Sequence, residues 1–137
     1  MDEIASLQRF GLTPKQSDLP EIRALLAEQT EAESREQGDG DTLLMRLACV
    51  QLFNAGSVED SLAIWRARMA SFDAGASIDL YLLCGAGLDK TIEYLDRLAA
   101  PEARAAATRL RDAKAKGSFD TFTVEGARTA NAARYVL

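Results

Sequence analysis

The chain has 137 residues, no histidine and two cysteines, and its 16 basic and 21 acidic side chains give a formal net charge of −5. This length fits a single domain with a core of its own. The lack of histidine excludes a Ser-His-Asp triad, a Cys-His pair and His-ligated zinc, and two cysteines cannot form a four-thiolate site. We therefore expect no catalytic constellation, no metal and no cofactor.

Alanine outnumbers the β-branched aliphatic residues, with 24 alanines against 4 valines and 5 isoleucines. Alanine is the best helix former, whereas strands favour β-branched and aromatic side chains. No segment alternates between apolar and polar residues with a period of two. The sequence therefore predicts an all-α fold: a single domain of six to eight helices, arranged as an irregular bundle or as a short helical-repeat, HEAT-like stack.

Residues 1–41 form a more polar N-terminal part of this predicted domain, and residues 42–137 form its core. Ser17 or Asp18 is expected to cap a helix that has Pro20 in its first turn. The polar stretch that follows is either a solvated helix end or a mobile segment. It carries much of the acidic charge, since residues 17–41 hold eight acidic and two basic side chains.

This acidic stretch has two interpretations. As a docking surface it would attract a basic partner protein electrostatically, through the candidates Glu28, Glu31, Glu33 and Glu36. As a solvated face it would have no binding role, which is the usual situation of a charge run.

Two apolar patterns predict the centre of the core. The segment from Thr42 to Asn54 is hydrophobic nearly all round, which is typical of a buried helix. Beyond it, apolar residues at helical spacing predict one helix that is capped by Ser57 and ends near residues 73–75. Its stripe, with Trp65 at the centre as a buried anchor, is Val58, Leu62, Trp65, Met69 and Phe72.

Four further helices are expected in the rest of the chain. Ser77 would cap a short helix that ends at Gly85, residues 88–98 form the next one, and Pro101 begins an alanine-rich helix that ends near Gly117. A weaker helix follows through residues 124–135. The triplet Ser-Phe-Asp occurs at 71–73 and again at 118–120, a spacing in the range of helical repeats.

One group of side chains predicts a binding site. Two aspartates flank the turn at Gly75 and lie near an arginine and two aromatic residues, which together could bind a cation or carry out acid–base chemistry. Helix caps and turns explain both acids equally well. The candidate residues are Trp65, Arg68, Asp73, Asp79 and Tyr81.

Other motifs favour structural roles. The string from Cys84 to Thr91 contains Gly-x-Gly and Lys-Thr, but Asp89 stands where a phosphate-binding loop needs glycine, so a joint between helices is expected. Cys49 and Cys84 are expected to be packing residues. The basic side chains of residues 101–116 spread around their helix, which argues against nucleic-acid binding.

Residues 61–95 resemble an uncharacterised family of bacterial all-α proteins, through Ile64-Trp65, Ser71-Phe72-Asp73, Ile78-Asp79, the run from Leu83 to Gly87, and Tyr94-Leu95. The resemblance implies a bacterial origin and an all-α fold, and it implies no activity and no site residue.

The sequence has neither a secretory signal nor an apolar stretch long enough to span a membrane, so we expect a cytoplasmic protein. We expect a non-catalytic interaction module, of the adaptor, inhibitor or immunity type, that binds a basic protein and neither nucleic acid nor membrane. Association with a second copy is possible. The alternative is a small-molecule-binding or enzymatic bundle that uses the carboxylates and arginine around Asp73 and Asp79.

Overall fold

The computed structural model describes residues 1–135, whose regular structure consists of eight α-helices and three short 3-10 turns. The helices are α1 (Glu3–Phe10), α2 (Leu19–Arg35), α3 (Thr42–Ala55), α4 (Ser61–Arg68), α5 (Phe72–Ser77), α6 (Leu88–Arg97), α7 (Pro101–Ala115) and α8 (Val124–Arg134). The 3-10 turns are Gln16–Asp18, Val58–Asp60 and Leu80–Cys84. This part of the chain contains no strand, so the predicted all-α bundle is confirmed.

Helix α3 lies at the centre of the bundle. It is buried at every position from Leu44 to Asn54, as its apolar circumference predicts. It begins where Asp41 Oδ1 accepts a hydrogen bond of 3.1 Å from the backbone N–H of Leu44, and it ends at Gly56, whose left-handed φ of 78° suits glycine. Helices α1, α2 and α5 and the turn Leu80–Cys84 pack around it.

The N-terminal part also contributes to the core. Phe10, Leu19, Ile22 and Leu26 are buried in the same hydrophobic cluster as the residues of α3, α4, α6 and α7. The helix expected after Ser17 or Asp18 is α2, and proline lies in its first turn. The predicted cap is wrong, because Asp18 at the N-cap position ends a 3-10 turn and makes no capping hydrogen bond with its side chain. Helix α2 continues through the acidic stretch as far as Arg35.

The single helix predicted from Val58 to Phe72 is wrong at both ends. Its beginning is a 3-10 turn, and Ser57 makes no capping hydrogen bond. Helix α4 ends at Arg68, so that Met69 and Phe72 are 60% and 84% exposed. The chain breaks because Ser71 adopts an extended backbone and its hydroxyl accepts from Ala74 N–H, which starts α5.

The other end of this region also differs from the prediction. Ser77 is the last residue of α5 and caps no helix, and Leu80–Cys84 is a 3-10 turn rather than an α-helix. Helices α6, α7 and α8 lie where the sequence predicts them. The two Ser-Phe-Asp triplets have different structures, since Ser71 caps α5 and Ser118 lies in the turn after α7. Trp65 is buried, with 6% of its surface exposed, as predicted.

Within residues 1–135, no helix has both the length and the apolar character needed to cross a membrane.

The joint from Cys84 to Gly87 is held by a close backbone contact. A Cβ atom on Gly85 would lie 2.5 Å from the carbonyl oxygen of Phe53 and 2.9 Å from its Cα. Gly87, with a φ of 101°, then starts α6, and Thr91 Oγ1 donates to its carbonyl oxygen. The predicted joint between helices is therefore what this glycine string forms.

We expect Gly85→Ala to destabilise the fold by about 1–3 kcal/mol, because the added methyl group must push the Leu80–Cys84 turn away from α3. Urea unfolding followed by circular dichroism measures the loss. If the midpoint and the slope of the urea transition were unchanged, the backbones of the Leu80–Cys84 turn and of α3 would be free to separate at this contact.

Candidate functional site

Two open cavities of about 550 Å³ each lie on either side of Trp65, between α4 and α7. They share Trp65, Pro101 and Ala105 as walls, so they form one continuous depression. One cavity runs along α7 to Asp112, and the other reaches Met69 and the side chains of α2. We call this depression the Trp65 groove, defined by Trp65, Met69, Pro101, Arg104, Ala105 and Arg109.

The sequence of α7 explains why the groove is open. Its inward face carries Ala103, Ala106, Ala107, Leu110 and Ala113, all buried. The face beside α4 carries Pro101, Ala105 and Thr108 at helical spacing, and all three are lining residues of the groove. Because these side chains are small, α7 leaves an open depression beside Trp65, of which 6% is exposed.

The α7 side of the groove is cationic. Arg104 and Arg109 are exposed, and within residues 1–135 neither has a carboxylate within ion-pair distance. By contrast, Arg66 at the rim is paired with Glu102 across α4 and α7, with Nε and Oε2 2.6 Å apart. Asp112 is the one acidic residue that lines the cavity along α7.

Arg68 is half-buried behind this wall. Its Nε donates to the carbonyl oxygen of Ile78 at 3.1 Å. Its pKa lies below the ordinary value, first because burial disfavours the charge and second because Arg109 is close, although Asp79 acts in the opposite direction. Positive charge is therefore concentrated around Trp65.

The structure divides the predicted site of Trp65, Arg68, Asp73, Asp79 and Tyr81. Trp65 forms the groove, and Arg68 lies between it and Asp79. Asp79 and Tyr81 belong to a separate cluster around Arg46. Asp73 lies in the exposed first turn of α5, and no described hydrogen bond or ion pair joins it to the other four residues.

The separate cluster is centred on the buried guanidinium of Arg46, of which 3% is exposed. Nη1 donates to the hydroxyl of Tyr135 at 2.9 Å, and Nη2 lies 3.4 Å from Oδ2 of Asp79. Burial opposes the charge of Arg46, but Tyr135 and Asp79 outweigh it and its pKa lies above the ordinary value. Arg46 is thus held as a permanent charge inside the fold.

Tyr81 completes this cluster. Its hydroxyl donates to Asn131 Oδ1 at 2.9 Å, and burial raises its pKa, so it stays a neutral phenol at pH 7. A cavity of about 310 Å³ lies between Tyr81, Phe119, Phe122 and α8. No charged side chain lines it.

Glu33 does not belong to a partner surface, contrary to the sequence prediction. It is 1% exposed, and its two oxygens are fully engaged. Oε1 accepts from the backbone N–H groups of Gly38 and Gly40, at 2.9 and 3.0 Å. Oε2 accepts from the hydroxyl of Ser71 at 2.6 Å, which ties α2 to the start of α5.

A signal for this burial is present in the sequence. Glu33 lies seven residues after Leu26 and eleven after Ile22, so it falls on the apolar face of α2. Gly40 lies against it so closely that a Cβ atom there would be 2.8 Å from Cβ of Glu33. The other three predicted residues, Glu28, Glu31 and Glu36, are exposed, and Glu31 is 3.5 Å from Arg35.

The cysteines and the acidic side chains were the other candidates for reactive or metal-binding groups. Both cysteines are free and buried, and burial raises the pKa of Cys84 to about 12 and that of Cys49 further. Neither thiol is therefore activated as a nucleophile at pH 7. Within residues 1–135 no group of three or more Cys, Asp or Glu side chains could hold a metal ion.

No protein-family model, curated protein sequence or solved structure matches this chain.

We expect Glu33→Gln to lower the free energy of unfolding at pH 7 by about 1–3 kcal/mol, since a neutral amide replaces a buried, charge-assisted acceptor. The pKa of Glu33 lies below its ordinary value of 4.5, mainly through Ser71 and then through Gly38 and Gly40. Its stabilisation is therefore complete above pH 4.5 and is lost as the pH falls through the folded-state value.

Urea titrations from pH 7 to pH 3 test this, with the exposed Glu28→Gln as the matched control, which should shift stability by less than about 0.5 kcal/mol. The difference in the free energy of unfolding between wild type and Glu33→Gln should disappear as the pH is lowered. A difference that stays constant over this range would contradict the role of the carboxylate.

Proposed function

We propose that this chain is a non-catalytic protein-interaction module, of the adaptor, inhibitor or immunity type, that holds its partner in the Trp65 groove. The observation that supports this most strongly is an open depression beside Trp65 that is bordered by the 60% exposed Met69 and by two arginines that lack a carboxylate partner in the described residues. Tryptophan, methionine and arginine are the residues enriched in protein interfaces.

The form of the groove also favours a protein over a small molecule. Sites for small ligands are enclosed and bury most of the ligand surface, whereas this groove is open along its length. The alternative site at Asp73 and Asp79 has less support. Asp79 is paired with the buried Arg46, whereas the exposed Asp73 shares no described hydrogen bond or ion pair with that cluster.

Photo-crosslinking tests the proposal. Benzoylphenylalanine placed at Ala105 or at Ser34, on the two walls of the groove, should give a discrete protein adduct in the cell of origin, and the same probe at the exposed Ala132 of α8 should not. Met69→Glu should weaken the adduct, since it puts a charge on the apolar wall. No adduct at either wall, or the same adduct at Ala132, would contradict a partner in the groove.

The exposed acids of α2 and of the turn after it support a basic region on the same partner. Glu28, Glu31 and Glu36 stay at the surface, and long-range attraction acts mainly on the rate of association. We expect the triple change of these residues to lysine, with Glu33 kept, to leave the helical circular dichroism unchanged and to slow association with the crosslinked partner.

Surface plasmon resonance at low and high salt measures that rate. Equal association rates for wild type and the triple variant, with no dependence on salt, would mean that these acids are only solvated and have no role in binding.

A further inference from the structure

The length of the groove fits a helix. Its α7 wall runs from Pro101 to Asp112, which are eleven residues apart and therefore about 16 Å along the helix axis. This length corresponds to three turns of an α-helix laid alongside. The floor that such a helix would meet is apolar, and it consists mainly of the exposed side chain of Met69 and the methyl group of Ala105, with a small part of Trp65 between them.

The charges of the groove define which helix fits. Arg104 and Arg109 border the apolar floor along α7, and Arg68 adds positive charge behind it. The other rim arginine, Arg66, is already neutralised by Glu102. A ligand that covers Trp65 is therefore favoured by carboxylates opposite Arg104 and Arg109, while Asp112 makes the far end of the α7 wall acidic.

We propose that the occupant of the Trp65 groove is an amphipathic α-helix of the partner protein, at least three turns long, with its apolar face on Trp65 and Met69 and its carboxylates facing Arg104 and Arg109. This inference rests on the proposed function and names the chemistry of the contact. The geometry is that of a helix in a groove, in which apolar anchors at i, i+4 and i+7 meet the floor. The partner's basic region then faces the acids of α2.

Trp65 is the only tryptophan of the chain, so its fluorescence reports on the groove directly. The probe is a synthetic peptide of about 16 residues with leucine at i, i+4, i+7 and i+11 and glutamate on the side that faces α7. It contains no tryptophan or tyrosine. Two matched peptides replace its glutamates by lysine, or keep its composition in a scrambled order.

We expect the acidic amphipathic peptide to shift the emission of Trp65 in a saturable way. The lysine peptide and the scrambled peptide should bind at least about tenfold more weakly, because the first reverses the charges and the second loses the apolar face. The emission of the free protein should be unaffected by protein concentration.

Arg104→Glu combined with Arg109→Glu should weaken binding of the acidic peptide by about tenfold or more. The matched control is Arg97→Glu combined with Lys116→Glu, which changes the net charge equally at exposed positions that do not line the groove cavities. It should bind the peptide as the wild type does, apart from a small effect of net charge.

Several results would overturn the inference. The first group concerns the peptides: equal binding of the acidic and scrambled peptides, or tighter binding of the lysine peptide than of the acidic one. Equal losses of peptide affinity in the two double variants would also contradict it. So would tighter binding of a single-stranded oligonucleotide than of the acidic peptide, or a change in Trp65 emission caused by self-association. In each case a crosslink at Ala105 would still support a partner in the groove. Failure of the crosslink would instead remove the proposed function.

Discussion

Helix α3 has to be shielded from water around its whole circumference, and the arrangement of the bundle follows from this constraint. Helices α1, α2 and α5 and the turn before α6 each cover part of it. The three polar side chains that it buries are used as ties. Gln51 and Asn54 donate to the carbonyl oxygens of Gly11 and Leu12, and Arg46 reaches Tyr135. These three buried polar side chains thus tie the segment after α1 and the residue after α8 to the central helix.

The groove arises because α7 packs through alanine. Small side chains on its inner face, such as Ala106, bring the helix close to the core, and Ala105 and Thr108 on the adjacent face leave the neighbouring helix uncovered. The alanines that make α7 a good helix former therefore also leave an open depression beside Trp65, which itself stays buried with 6% of its surface exposed.

Prediction from sequence succeeded where one local signal was enough. Asp41 and the unbroken apolar segment after it placed α3 correctly, and Pro101 did the same for α7. Prediction failed where two local signals competed. The apolar spacing alone extended one helix from Val58 to Phe72, whereas Ser71 caps a new helix before Phe72. The groove was not predictable, because Trp65 and Arg109 meet only once α4 and α7 have packed. Glu33 was wrongly assigned to the surface, because the prediction used its charge and not its position on the apolar face of α2.

The hydrogen bond from Arg46 to Tyr135 joins residues 89 positions apart. During synthesis, α3 therefore leaves the ribosome long before the hydroxyl that its guanidinium needs. Until Tyr135 is added, Arg46 keeps Asp79 as its carboxylate partner, but a buried N–H of the guanidinium lacks the hydroxyl to which it donates, so the packing of the central helix is less stable. A chain that lacks α8 therefore exposes its most apolar segment to chaperones and proteases more often.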